Sequence, residues 1–150
     1  MANKSTSNSD YQALKVFLDC YFEWYAPKYP TTPPGMPSRF LEQIEKKSLA
    51  NAKKGLSMAL NDIAEESADW PPDKIAIADA KFLAAGTFTL SEVRRRYLKK
   101  YIQILQRGVI RSEIEYYLLK GIRDGGGVEP DATECQQIEA MLIEFEEKSK

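Results

Sequence analysis

The stretch "TLSEVRRRYLKKYIQILQRGVIRSEIEYYL", residues 89–118, decides how the chain is read. Apolar residues recur at Leu90, Val93, Tyr97, Tyr101, Ile104 and Leu105, mostly three or four apart. That spacing lines one face of a helix. Thr89 and Glu92 stand at capping-box distance, where each side chain satisfies the other's free backbone amide. Gly108 ends the run. Ser112 and Glu115 repeat the capping-box spacing, with Ile114, Tyr117, Leu118 and Ile122 behind them. The pattern predicts a helix over 90–107, a short turn, and a second helix from Ser112 to Asp124.

Outward from this stretch the same period continues. Asp10 can cap a first helix reaching Trp24, with Leu14, Phe17, Leu18, Tyr21, Phe22 and Tyr25 on its inner face. Residues 1–9 are small and polar and read as a disordered tail. "APKYPTTPPGMP" forbids helix and favours extended polyproline geometry. Ser38 then reads as the cap of one long helix to about Ser67. Its inner face carries Leu41, Ile44, Leu49, Ala52, Leu56, Ala59, Leu60 and Ile63, and Gly55 marks a bend or a close helix contact.

Pro71 or Pro72 suits the first turn of the next helix, which offers Ile75, Ile77, Ala78, Phe82 and Leu83 to a core. "DGGG" stops the helix that ends at Asp124. Asp131 or Thr133 starts a last one, with Ile138, Met141, Leu142 and Phe145 inside. No stretch alternates with period two between turn residues, as a strand would. The expected fold is all-α: a single domain over 10–150, a bundle of about six helices with a proline-rich connection after the first.

The totals narrow the function. The 150 residues are 43% hydrophobic and 29% charged, ordinary for a globular chain that needs no disulfide or metal to fold. The net charge of -1 gives no global pull toward nucleic acid or an anionic membrane, so such binding would need a local patch. No leader or membrane-length apolar run is visible, and an intracellular, cytoplasmic location is expected. Cys20 and Cys135 lie far apart, outside any CxxC pair, and read as two thiols packed in helices. With no histidine there is no Ser-His or Cys-His nucleophile and no usual zinc site. "DGGGVEP" lacks the lysine and the preceding strand of a phosphate loop. No cofactor is expected.

Two stretches remain as candidate sites. The first is basic: seven positive charges stand between Arg94 and Arg111 with no acid among them. On one continuous helix they would spread over about half the cylinder. Such a face can contact phosphates through counterion release, and 90–123 has the outline of a helix-turn-helix. Glu113 and Glu115, however, stand where a recognition helix reads bases, and phosphates would repel them. The same face can dock an acidic protein through Arg95, Arg96, Lys99 and Lys100. Or it can be a solvated face, partly neutralised by the acids that follow Asp124.

The second stretch, "YFEWYAPKYP" over 21–30, holds more aromatics than one helical stripe buries. Trp24 and Tyr29 either stack on the prolines or stay open as a partner hot spot. Tyr116, flanking the apolar stripe of its helix, is a similar outward-facing candidate.

Acids form a third pattern: Glu42-x-x-Glu45 and, later, Glu66-x-x-Asp69. In outline it resembles the all-helical nucleotide pyrophosphohydrolases of the MazG type. That likeness would imply magnesium held between carboxylates on different helices and a nucleotide substrate. On one unbroken helix Glu42 and Glu66 stand about 36 Å apart, so they share an ion only if the chain turns back near Gly55.

Three functions follow. The first is a non-catalytic helical protein that binds and regulates another protein, a role that small inhibitors of the immunity type fill for bacterial toxins. The second is a nucleic-acid-binding regulator using 90–123. The third is a carboxylate-metal nucleotide hydrolase. The first is expected, with no membrane partner and the oligomeric state open.

Overall fold

A computed structural model describes residues 8–26, 35–124 and 132–149. Within them the chain is all-α, with eight helices and no strand. These are α1 (Asn8–Trp24), α2 (Pro37–Glu45), α3 (Leu49–Glu66), α4 (Pro72–Ala84), α5 (Leu90–Tyr97), α6 (Lys99–Arg107), α7 (Glu113–Asp124) and α8 (Ala132–Lys148). The expected tail before residue 8, the proline-rich geometry of 27–34 and the glycine stop at 125–127 lie outside the described residues.

Two expected helices are each broken in two, which raises the count from six to eight. The first break falls at Lys46–Ser48. Ser48 is extended (φ -161, ψ 111), and its hydroxyl accepts the Asn51 N–H, so α3 has its own cap. Ser38, read as a cap, lies inside α2 instead. Met36 holds the cap position and Pro37 the first turn. The Asp19 carboxylate of α1 accepts both the Ser38 N–H (3.0 Å) and the Ser38 hydroxyl (2.7 Å). A side chain from another helix thus satisfies one of the free amides at this start.

The second break falls at Leu98, whose ψ of 104 leaves the helical region. The buried Leu98 side chain joins the core, and the Lys99 N–H that opens α6 donates to Asn61 Oδ1 of α3 at 2.9 Å. A third start is shared. Thr89 accepts the Glu92 N–H, as its spacing predicts, while buried Asp79 of α4 accepts the Ser91 N–H (3.0 Å).

Two apolar clusters result. The first joins α1 to α5 around Tyr11, Leu14, Phe17, Leu56, Phe82 and Val93. Phe17 stacks on Phe82 with ring centroids 4.4 Å apart. The second gathers Leu98, Tyr101, Ile104, Leu119, Ile138 and Leu142 around α6, α7 and α8, with Ala64 reaching in from α3. In the first cluster α4 ends as its sequence indicates. Gly86 takes φ +77, its N–H bonds Leu83, and the Thr87 N–H bonds Phe82. That pair of bonds closes a helix with a left-handed glycine. The Thr87 hydroxyl then ties the turn to the Ala13 carbonyl of α1 at 2.7 Å.

Candidate functional site

The basic stretch does not form one face, because the break at Leu98 sends its charges in different directions. Arg94, expected at the side of the helix, is only 3% exposed, as is Asp79 nearby. Burial pulls the Arg94 pKa down, and the Asp79 charge works against that. Burial also pushes the Asp79 carboxyl up, opposed by its Ser91 bonds and by Arg94. Each charge eases part of the other's burial without a direct ion pair between them, and Arg94 donates to the Ala68 carbonyl at 3.5 Å.

Arg96 takes Asp10 at 3.5 Å and lies over the Phe88 ring. Arg107 is held by Glu115 and the Val109 carbonyl. Arg95 is half-buried. Lys99 and Lys100 stay exposed and make no ion pair among the described residues.

Among the described residues no ion pair joins an acid of α8 to the bases of 94–111. Glu134 accepts the Tyr101 hydroxyl, Glu146 accepts the Tyr116 hydroxyl, and Glu139 pairs with Arg123 at 2.9 Å. Tyr116 therefore points inward, against expectation. It is 9% exposed and stacks on Phe145, whereas the next residue, Tyr117, is 65% exposed. Trp24 is half-buried against Phe82, with the Lys81 ammonium over its ring. Tyr29 lies outside the described residues.

The acidic pattern does not converge. Glu45 is bonded to Lys15 at 3.1 Å, Glu65 accepts from Asn61, and Glu66 lies beside the Tyr21 hydroxyl. Among the described residues no three His, Cys, Asp or Glu side chains could hold a metal ion together. Cys20 and Cys135 are both thiols, half-buried and not joined to each other.

What stands out instead is apolar residues that the fold leaves outside. Ile44, Leu49, Ile77, Leu83, Ile114 and Tyr117 carry core spacing in the sequence, yet all are exposed. Single exposed apolar residues are ordinary, but contiguous ones mark contacts to come. They fall on three faces. On α4 the outer face reads Ala76, Ile77, Ala80, Leu83 and Ala84. On α7 it reads Ile114 and Tyr117, with Leu118 half-buried at its margin against the second cluster. The third face spans the α2–α3 hairpin and is bordered by exposed bases.

Its geometry follows from the bonds already described. Leu41 lies against Gly55, where a Cβ would meet it at 3.9 Å, so α2 folds back along α3. The Lys15–Glu45 and Asp19–Ser38 bonds put α1 on one edge of α2. Phe40 and Ile44 lie on the opposite edge, one turn apart. Met58 projects from α3 one turn beyond Gly55, away from buried Leu56 and Leu60. Phe40, Ile44 and Met58 therefore open onto one outer surface.

Charge divides the same way. Glu42 and Glu45 face Tyr11 of α1, where burial, then the Glu45 carboxylate, push the phenol up to about 12. Arg39, Lys46, Lys47 and Lys54 are exposed and make no ion pair among the described residues. Asn61, which holds Lys99, lies two turns along α3 from Lys54, so Lys99 and Lys100 adjoin the far end of this surface. The signal for it was present in the sequence as two lysine pairs, 46–47 and 53–54, seven residues apart.

No protein-family model, curated protein or solved structure matches the chain. Among the described residues no helix is long and apolar enough to cross a membrane.

Proposed function

We propose that the chain acts by binding another protein, and that the outer face of the α2–α3 hairpin receives it. One observation carries this reading: Phe40, Ile44 and Met58 are each exposed on the α2–α3 hairpin, whose exposed bases Arg39, Lys46, Lys47 and Lys54 make no ion pair among the described residues. Water-exposed apolar area gains by being covered, at about 25 cal/mol per Å². The surrounding cations select an acidic partner and speed its approach more than they tighten the complex. Such a protein regulates by occupancy, covering or holding a site on its partner as an inhibitor does.

The nucleic-acid reading has less support. Of its seven basic residues, Arg94 is buried and Arg96 and Arg107 are engaged by carboxylates. A phosphate backbone also gives Ile44 and Met58 nothing to pack against.

The test is affinity capture from native cell extract, followed by titration of the captured protein. Ile44→Asp combined with Lys47→Glu and Lys54→Glu is expected to abolish binding while leaving the thermal melt unchanged. Retained binding by this variant would contradict the reading. So would tight, salt-sensitive binding of mixed-sequence DNA or RNA by the wild type, lost in the variant.

A further inference from the structure

The outer face of α7 matches itself. Ile114, Tyr117, Leu118 and Gly121 are spaced i, i+3, i+4 and i+7, within about 100° of arc on the side away from buried Leu119, with Leu118 at the edge of the arc and half-buried against the second cluster. Ile114 is 77% exposed, more than any other large apolar side chain among the described residues. Gly121 stands in the last turn of α7, still within helical backbone. Its φ is not positive, and a Cβ there would meet nothing within 4 Å. No packing among the described residues requires the glycine.

We propose that this face pairs with a second copy of the chain, α7 against α7 in antiparallel register about a twofold axis between residues 117 and 118. Residue numbers facing each other then sum to about 235. Ile114 of one copy enters the space left open at Gly121 of the other, twice over, and Tyr117 meets Leu118. The same axis sets each edge of α7 against the same edge of the other copy. Glu113 and Lys120 share one edge, so Glu113 of each copy comes within reach of Lys120 of the other. Neither makes an ion pair among the described residues.

The partner is a second copy because both the shape and the charge pattern are complementary to their own reverse. An unrelated protein would have no reason to match a missing Cβ in one place with a projecting isoleucine two turns earlier. The pairing uses a different face from the α2–α3 hairpin and leaves that face free on both copies.

The test is sedimentation of the full chain across a wide concentration range. The wild type is expected to dimerise and Ile114→Glu to be monomeric with the same helical melt. Glu113→Lys alone and Lys120→Glu alone should each weaken the dimer by about ten-fold or more, since each places two like-charged pairs together. Mixing the two single variants should restore it to within about three-fold of wild type, because both crossed pairs are then opposite in charge. A wild type that stays monomeric at the highest concentration would overturn the proposal. So would a dimer indifferent to Ile114→Glu, or single variants that do not recover on mixing. Each of these outcomes is independent of whether an acidic partner binds the hairpin.

Discussion

The two clusters of the molecule are held by different means. From the cluster of α1 to α5, side chains of one helix complete the start of another: half-buried Asp19 for α2, buried Asp79 for α5 and buried Asn61 for α6 at the junction with the second cluster. In the cluster of α6 to α8, polar groups work at the rim. Tyr101 and Tyr116 donate to Glu134 and Glu146 of α8, and Gln137 donates to the Leu105 carbonyl at 2.7 Å. The lesson is about what local sequence can encode. A helix start capped by its own neighbours is written next to itself, whereas one completed from a distant helix is not.

The sharpest way to break this contrast is at Asp79. Asp79→Ala removes the acceptor of the Ser91 N–H and hydroxyl and leaves Arg94 buried without a counter-charge. The expected loss is about 3 kcal/mol or more in urea unfolding, and Arg94→Met in the same chain should recover a large part of it. Asn61→Ala is next. It strips the acceptor of the Lys99 N–H at the junction of the two clusters, and a loss of about 1–2 kcal/mol is expected, with Asn61→Asp retaining most of the stability. Tyr116→Phe should cost about 1 kcal/mol, and hydrogen exchange should show the loosening in α8 and not in α1. If Asn61→Ala proved no more costly than Tyr116→Phe, the contrast between inner and rim bonding would fail.

Protonation sharpens the same contrast, because two carboxylates move in opposite directions. Partial burial works to raise Glu115 in α7, but the Arg111 N–H and the Arg107 guanidinium outweigh it and hold the carboxyl below its ordinary value of 4.5. Its contribution is fully present above 4.5 and is lost as pH falls through the folded pKa. Burial raises Asp79 from its ordinary 3.8 against the pull of its Ser91 bonds and of Arg94, so ionising it costs more in the folded chain than in the unfolded one. Its contribution is greatest below 3.8 and declines as pH rises through the folded pKa. Glu115→Gln is therefore expected to flatten the acid limb of a melting-temperature profile.

The smallest effect is a gain. Gly55→Ala should stabilise by about 0.5–1 kcal/mol in thermal melts, because the added methyl meets Leu41 at ordinary contact distance.

The all-α class and most of the inner faces were legible from helical spacing alone. Leu14, Phe17, Leu18, Tyr21, Leu56, Phe82, Ile138 and Met141 are buried as expected. Thr89 and Ser112 cap as their spacing indicates, although the Glu115 carboxylate returns to the Arg111 N–H and not to Ser112. The break at Leu98 was illegible because apolar spacing runs straight through it and its acceptor, Asn61, stands 38 residues away. The break at Lys46–Ser48 was written locally in Ser48, but the sequence Ile44, Leu49, Ala52 kept the helical period and masked it.

The surface was harder to read for a related reason. Helical spacing says which residues share a face and not which face turns inward. On α7 the sequence offers two apolar stripes, Ile114–Tyr117–Leu118 and Tyr116–Leu119–Ile122, and packing chooses the second. The charge of residues 94–111 was misleading for the same reason, since Arg94 turned inward once α5 and α6 separated.

The central claim is that apolar residues left outside the core serve a partner. Met58 offers the most direct test, because its thioether is exposed on the proposed surface and reacts with peroxide. The measurement is its oxidation rate in the free chain and in the complex captured from native extract, read by mass spectrometry. Met58 is expected to oxidise rapidly when the chain is free and to be strongly protected when it is bound, and an equal rate in both would contradict a partner on this surface.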